Sequence, residues 1–169
     1  NASPLPPGLE SLPGADEVLR EVPIRTAYAC YLVLDTSDLP RTGGLLDSRP
    51  DHAVVVNVDH HAANTRFGTV NWVDPEASSA GELVYRMLHH GGFPLSAVVA
   101  TNLYAAIQTD TGSFQYGNTT PAALRAAADL VDAHDRHLGV IDDGGREAAA
   151  ERAQVRDGER RARHLVGFE

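Results

Sequence analysis

Three short segments of this chain gather side chains able to hold a divalent cation, and each places a carboxylate where an apolar or helical stretch stops. The apolar run 28–34 (YACYLVL) leads into Asp35 within Leu34-Asp35-Thr36-Ser37-Asp38. A valine-rich run, 52–58 (HAVVVNV), leads into Asp59-His60-His61. A third acid, Asp110, stands in Thr109-Asp110-Thr111-Gly112-Ser113. Carboxylate oxygens combined with imidazole nitrogens suit a hard or borderline ion such as Mn²⁺ or Mg²⁺. No cysteine occurs in these turns, which disfavours a structural zinc. Two adjacent histidines after an acid let one imidazole bind metal while the other faces substrate, and the acid can orient an imidazole through its second nitrogen. Three titratable groups directly after a valine strand are costly unless metal or partners satisfy them. Asp38, beside Arg41, reads as a turn residue or cap instead. His89-His90 sit at a helix end, where the dipole favours cations. Like His52, His134, His137 and His164, they are given no function.

The elements that must position these residues alternate. Runs 28–34 and 52–58 read as buried parallel strands, and 69–73 as a third strand. Ser79-Ala-Gly-Glu82 has the form of a capping box, with Leu83, Met87 and Leu88 as the apolar stripe and Gly91-Gly92 as the stop. Ser96 caps a second predicted helix through Ile107. Thr120-Pro121 opens a third, spanning 121–133. Strands alternating with helices predict an α/β domain with a largely parallel sheet. In such sheets ligands sit at the carboxyl ends of the strands, so the three acid-bearing turns can converge.

Bulk properties narrow the class. The 169 residues fit one domain, organised here as 1–133 with an atypical charged segment, 134–169. A net charge of -9 argues against long DNA as a partner, although bound cations can reverse the local charge at a site for short phosphorylated ligands. No apolar stretch approaches a membrane span, and residues 1–13 do not form a signal peptide. The only cysteine, Cys30, lies in an apolar run and is expected to be a buried, inert thiol in a reducing cytoplasm. Without an initiator Met, the sequence reads as an internal piece of a longer protein or a gene model with a wrong start.

In order and approximate spacing the chain resembles the DHH phosphoesterases, named for the triplet present here as Asp59-His60-His61. Within them it is most similar to the nano-RNases, the bacterial oligoribonuclease and 3′-phosphoadenosine-5′-phosphate phosphatase group. The likeness covers residues 12–133. It runs through Leu12-Pro13-Gly14, Leu34-Asp35-Thr36-Ser37-Asp38 with Arg41, Asn57-Val58-Asp59-His60-His61 with Asn64, and Phe67-Gly68 with Asn71. It continues in Ala77-Ser78-Ser79 with Glu82, Thr109-Asp110-Thr111-Gly112-Ser113-Phe114, and Tyr116 with Asn118-Thr119-Thr120-Pro121.

The resemblance implies an incomplete Rossmann-like catalytic domain, its parallel sheet flanked by helices, holding two Mn²⁺ ions, with Mg²⁺ as the substitute. Asp35 would bridge the ions, and His60 and Asp110 would each bind metal. His61 would lie beside the scissile phosphate, supported by Asp59. Ser78 and Ser79 either cap the following helix or hold a phosphate at its N-terminus. The implied substrates are short oligoribonucleotides, small nucleoside bisphosphates, or cyclic dinucleotides and their linear products. The implied setting is cytoplasmic, without a membrane partner, and compatible with a homodimer.

Two departures qualify this. The family's upstream His-x-x-x-Asp-x-Asp is not found, leaving three expected ligands, enough to hold one ion weakly but not two at ~3.5–4 Å. The family's glycine-rich motif of the smaller substrate domain is not found either, since Arg146 follows Gly144-Gly145. The alternatives are therefore a family-II-like inorganic pyrophosphatase and an inactive nucleotide- or metal-binding fragment.

Overall fold

Valine at five of the nine positions from Val54 to Trp72 that lie in strands favours the pleated, half-buried environment of a sheet, and the computed structural model forms one there. It describes residues 5, 6, 8–19 and 28–139. Three strands, β1 (Cys30–Leu34), β2 (Val54–Asp59) and β3 (Val70–Val73), make a wholly parallel sheet in the order β1-β2-β3. Three helices follow: α1 (Ala80–His90), α2 (Ala97–Asp110) and α3 (Pro121–Gly139). The α/β class and the parallel sheet are as expected.

Packing proceeds in layers from the sheet outward. Leu83 of α1 meets Val58 of β2 and Ala77 in a small, fully buried cluster. Behind it lies a larger core in which Tyr85 meets Leu103 and Ile107 of α2 and Ala126 and Leu130 of α3. Ala123, Ala126 and Ala133 on one face of α3 are buried in this core, so small residues there allow close approach to α2. Gly81 serves the same purpose in α1: a Cβ there would stand 2.6 Å from that of Ala106. Among the described helices none is long and apolar enough to cross a membrane.

Several expectations need correction. β1 is not buried: its residues alternate between exposed and half-buried, and Leu32 and Leu34 are exposed. Among the described residues it pairs only with β2, and no described helix covers it. Cys30 is exposed for the same reason, not buried. α2 runs to Asp110 and not to Ile107, because the Thr111 N–H still reaches the Ile107 carbonyl. α3 continues past residue 133 to Gly139. Residues 140–169 of the charged segment lie outside the described residues.

The caps behave as their residue types dictate. Ser79 Oγ accepts the Glu82 N–H at 3.0 Å, and the Glu82 carboxylate reaches back to both the N–H and the hydroxyl of Ser78 at 2.8 Å. Thr120 Oγ1 accepts the Ala123 N–H at 3.1 Å, and Asp38 caps a 3-10 turn at Leu39–Thr42 by accepting the Arg41 N–H. Replacing Ser79 with Ala is expected to lower stability by ~1 kcal/mol, seen as an earlier urea midpoint. An unmoved midpoint would mean that Glu82 alone sets this helix start.

Candidate metal centre

Strand register decides where the chemistry lies. β1 and β2 run parallel with Leu34 opposite Val58, so Asp35 emerges next to Asp59 at the same carboxyl edge. The Asp35 N–H donates to the Val58 carbonyl at 3.0 Å, carrying the pairing one residue beyond the strand. Asp35 then turns with φ 56°, a left-handed conformation that aspartate tolerates better than most residues. β2 continues through Asp59 itself, so this acid is the last strand residue and is fully buried. His60 and His61 open the loop that crosses to β3.

Four side chains meet there. His60 Nε2 lies 3.5 Å from Asp35 Oδ1 and 3.7 Å from Asp110 Oδ2. His61 Nδ1 lies 3.8 Å from Asp35 Oδ1. Ligand atoms of Asp35, His60 and His61 all fall within 4.8 Å of one another. These separations exceed a good hydrogen bond, and the two made by His60 Nε2 suit donors arranged around a shared cation. The set is oxygen and nitrogen only, which matches the Mn²⁺ or Mg²⁺ class. The carboxylate at Asp59 is not in this group. It accepts from His61 Nδ1 at 2.7 Å, which orients that imidazole, and from the His60 backbone N–H at 2.9 Å, which fixes the start of the loop. His61, expected only beside substrate, thus also stands within the ligand group.

Asp110 arrives from the far side, on the last turn of α2. A tight reversal follows, with Gly112, Ser113 and Phe114 all left-handed. The positive φ of 55° favours glycine at 112, and a Cβ there would force the exposed Tyr116 ring aside. Asn118 ties the reversal to the start of α1, donating to the carbonyls of Asp110 at 3.1 Å and Ser78 at 2.9 Å. Ser78 and Ser79 are fully buried and their hydroxyls are engaged in the cap.

The electrostatics record the crowding. The facing Asp35 carboxylate raises the His60 imidazole above its ordinary value, helped by the charge of Asp110 and opposed by burial. Burial, then the negative charge of Asp35, raises the Asp110 carboxyl, against the two histidines. For Asp59, burial pushes upward, but Asn64, His61 and the His60 N–H together hold it below the usual carboxylate range. A cation would relieve the Asp35–Asp110 repulsion directly.

Two contributors were visible in the sequence only as motif residues. Asn57 interrupts a valine run and is fully buried; a buried amide in that position must have partners. Its Nδ2 donates to the Thr36 carbonyl at 3.1 Å. Asn64 donates to Asp59 Oδ2 at 2.6 Å, to Asn57 Oδ1 at 2.9 Å and to the Thr36 carbonyl at 3.1 Å.

The chain is 35% identical over 123 residues to the bifunctional oligoribonuclease and PAP phosphatase NrnA of Thermus thermophilus, covering 73% of this chain and 37% of that protein. It is 35% identical over 129 residues to the protein of the same name from Bacillus subtilis, covering 74% and 39%. Among solved structures it is similar to an exopolyphosphatase-related protein from Bacteroides fragilis, with a TM-score of 0.67, 25% identity, and coverage of 76% of this chain and 41% of that one. The chain therefore spans about two fifths of the length of these relatives. No family model matches it.

Proposed function

Because the chain belongs to the DHH phosphoesterases, with relatives in the nano-RNase group, we propose that its carboxyl-edge cluster is part of a divalent-metal phosphoesterase site. The substrates proposed are short oligoribonucleotides and small nucleoside phosphates such as 3′-phosphoadenosine-5′-phosphate, with linear products of cyclic dinucleotides as a third class. The observation that carries this reading is the convergence of Asp35, His60, His61 and Asp110 at one edge, backed by the buried Asp59.

Asp35, His60 and Asp110 would hold Mn²⁺, with Mg²⁺ as the alternative. The bound ion supplies a water of lowered pKa and neutralises charge on the phosphoryl oxygens. The residues of this chain do the rest. His61 gives its Nδ1 proton to Asp59 as a hydrogen bond, which leaves Nε2 as its second working atom. In the neutral ring that atom accepts a proton; in the imidazolium it donates to a phosphoryl oxygen. Asp59 keeps the ring oriented in both cases. Ser78 and Ser79 contribute by fixing the start of α1, whose free N–H groups favour an anion.

A second reading has one observation in its favour. Among the described residues three side chains form the tight donor group, with Asp110 beside it, whereas two ions ~3.5–4 Å apart need a fuller set. On that reading the chain binds metal or nucleotide without turnover.

Incubation of the chain with a diribonucleotide and Mn²⁺ separates these. Release of mononucleotides that stops on chelation is the expected result. Retained nucleotide binding with no release would favour the second reading. Pyrophosphate turnover without dinucleotide turnover would move the chain to a family-II-like pyrophosphatase.

A further inference from the structure

The loop from His60 to Thr69 does unusual work for a connection between parallel strands: it carries no helix, yet it joins β2 to β3 and bears the site histidines. Its shape is set by its own polar contacts. The Asn64 N–H donates to the His61 carbonyl at 3.0 Å, and Asn64 Oδ1 accepts the Arg66 N–H at 2.6 Å, with Arg66 left-handed. The Thr65 N–H donates to the Ser37 carbonyl at 2.8 Å. The loop is thereby stitched to the Asp35 turn, not only to its own strand.

We infer that Asn64 is a positioning residue that locks the His61 tautomer and joins the two ligand-bearing turns, resting on the phosphoesterase reading for its purpose but not for its geometry. One amide nitrogen carries two hydrogens, and it faces three acceptors: Asp59 Oδ2, Asn57 Oδ1 and the Thr36 carbonyl. The contact with Asp59 occupies one carboxylate oxygen. The other oxygen, Oδ1, is left to face His61 Nδ1 and the His60 N–H. An ionised carboxylate accepts only, and Asn64 fixes which of its oxygens meets His61, so a neutral His61 in this geometry carries its proton on Nδ1 and its lone pair on Nε2. The contact with Thr36 acts on the other turn. Thr36 follows Asp35, and Asn57 holds the same carbonyl from within β2. Asn64 and Asn57 therefore form a polar clamp whose two ends are the Asp35 turn and Asp59. Neither amide reaches the ligand atoms.

Nitrogen NMR of the histidine-labelled chain at alkaline pH, where the imidazoles are neutral, reads the tautomer without any turnover. The wild-type chain is expected to show His61 as a single species protonated on Nδ1. Asn64→Ala is expected to give a mixture, or the opposite tautomer. Asn64→Asp, which keeps the size and the acceptor for Arg66 but cannot donate, should do the same and serves if the alanine variant does not fold. Mn²⁺ affinity, followed by the loss of the free-ion paramagnetic resonance signal, should fall roughly ten- to a hundredfold in both variants. His61 remaining wholly protonated on Nδ1 in a folded variant would overturn the inference. A wild-type chain that shows the single tautomer yet hydrolyses nothing would leave Asn64 in this role and remove the catalytic reading alone.

Discussion

Asp59→Ala is expected to destabilise the chain by roughly 3 kcal/mol, a larger loss than at any other polar residue of the site. Its carboxylate is fully buried and accepts from three donors: the His60 N–H, His61 Nδ1 and Asn64 Nδ2. Removing it strands donors at the end of a central strand, each costing about 1–3 kcal/mol where no water replaces the acceptor. His61 is partly exposed and can turn to solvent, which limits the sum. Urea unfolding measures the effect, and a midpoint unchanged from wild type would show that the carboxylate contributes nothing net. Acid should reproduce part of the loss. The folded-state pKa of Asp59 lies below its ordinary 3.8. Its contribution is therefore complete above that value and disappears as pH falls through the folded-state pKa. In Asp59→Asn this part of the acid dependence should be absent.

The site was more legible than the sheet that carries it. Asp59, His60 and His61 could be picked out because three titratable groups directly after a valine run have few inexpensive structural roles, whereas Asp35 and Asp110 took their ligand roles from the resemblance. Parallel pairing then brought Asp35 and Asp59 to one edge, as strand-end logic requires. The exposure of β1 could not be read in the same way. An apolar run of Tyr, Cys, Leu and Val looks buried whatever covers it, and coverage depends on elements distant in sequence. The same limit explains Cys30. Asn57 was in principle readable, since an amide within a valine strand demands partners, but its partners lie in a turn 21 residues earlier and through Asn64 seven residues later. The end of α2 was misjudged for a local reason: Thr109 and Thr111 return their hydroxyls to helix carbonyls and let the helix run on to Asp110. That extension matters, because it fixes an acid on a rigid element opposite a strand-borne histidine.

His60→Ala should lower Mn²⁺-dependent turnover about a thousandfold or more, and Asp110→Ala should match it, wherever turnover by the wild-type chain is measurable. The two atoms lie 3.7 Å apart and come from separate layers, so they share no structural role that a single collapse could explain. Losing a ligand forfeits several kcal/mol of charge stabilisation, and each 1.36 kcal/mol is a factor of ten in rate. His89→Ala, at the far end of α1, supplies the control and should leave the rate unchanged. Either variant keeping most of its rate in Mn²⁺ would remove that residue from the metal centre. The pH dependence offers an independent sign. Metal takes the neutral imidazole, and Asp35 and Asp110 favour the charged one, raising His60 above its ordinary 6.5. Mn²⁺ affinity should therefore strengthen as pH rises through that raised value and then level off. Metal-free stability should move the other way. The imidazolium's contribution is complete below the ordinary value and is lost as pH rises through the raised one, because without an ion the proton is what separates the two carboxylates. In His60→Ala the stability trend should vanish, and the affinity trend should lose its His60 component, which no substitution outside the cluster should reproduce.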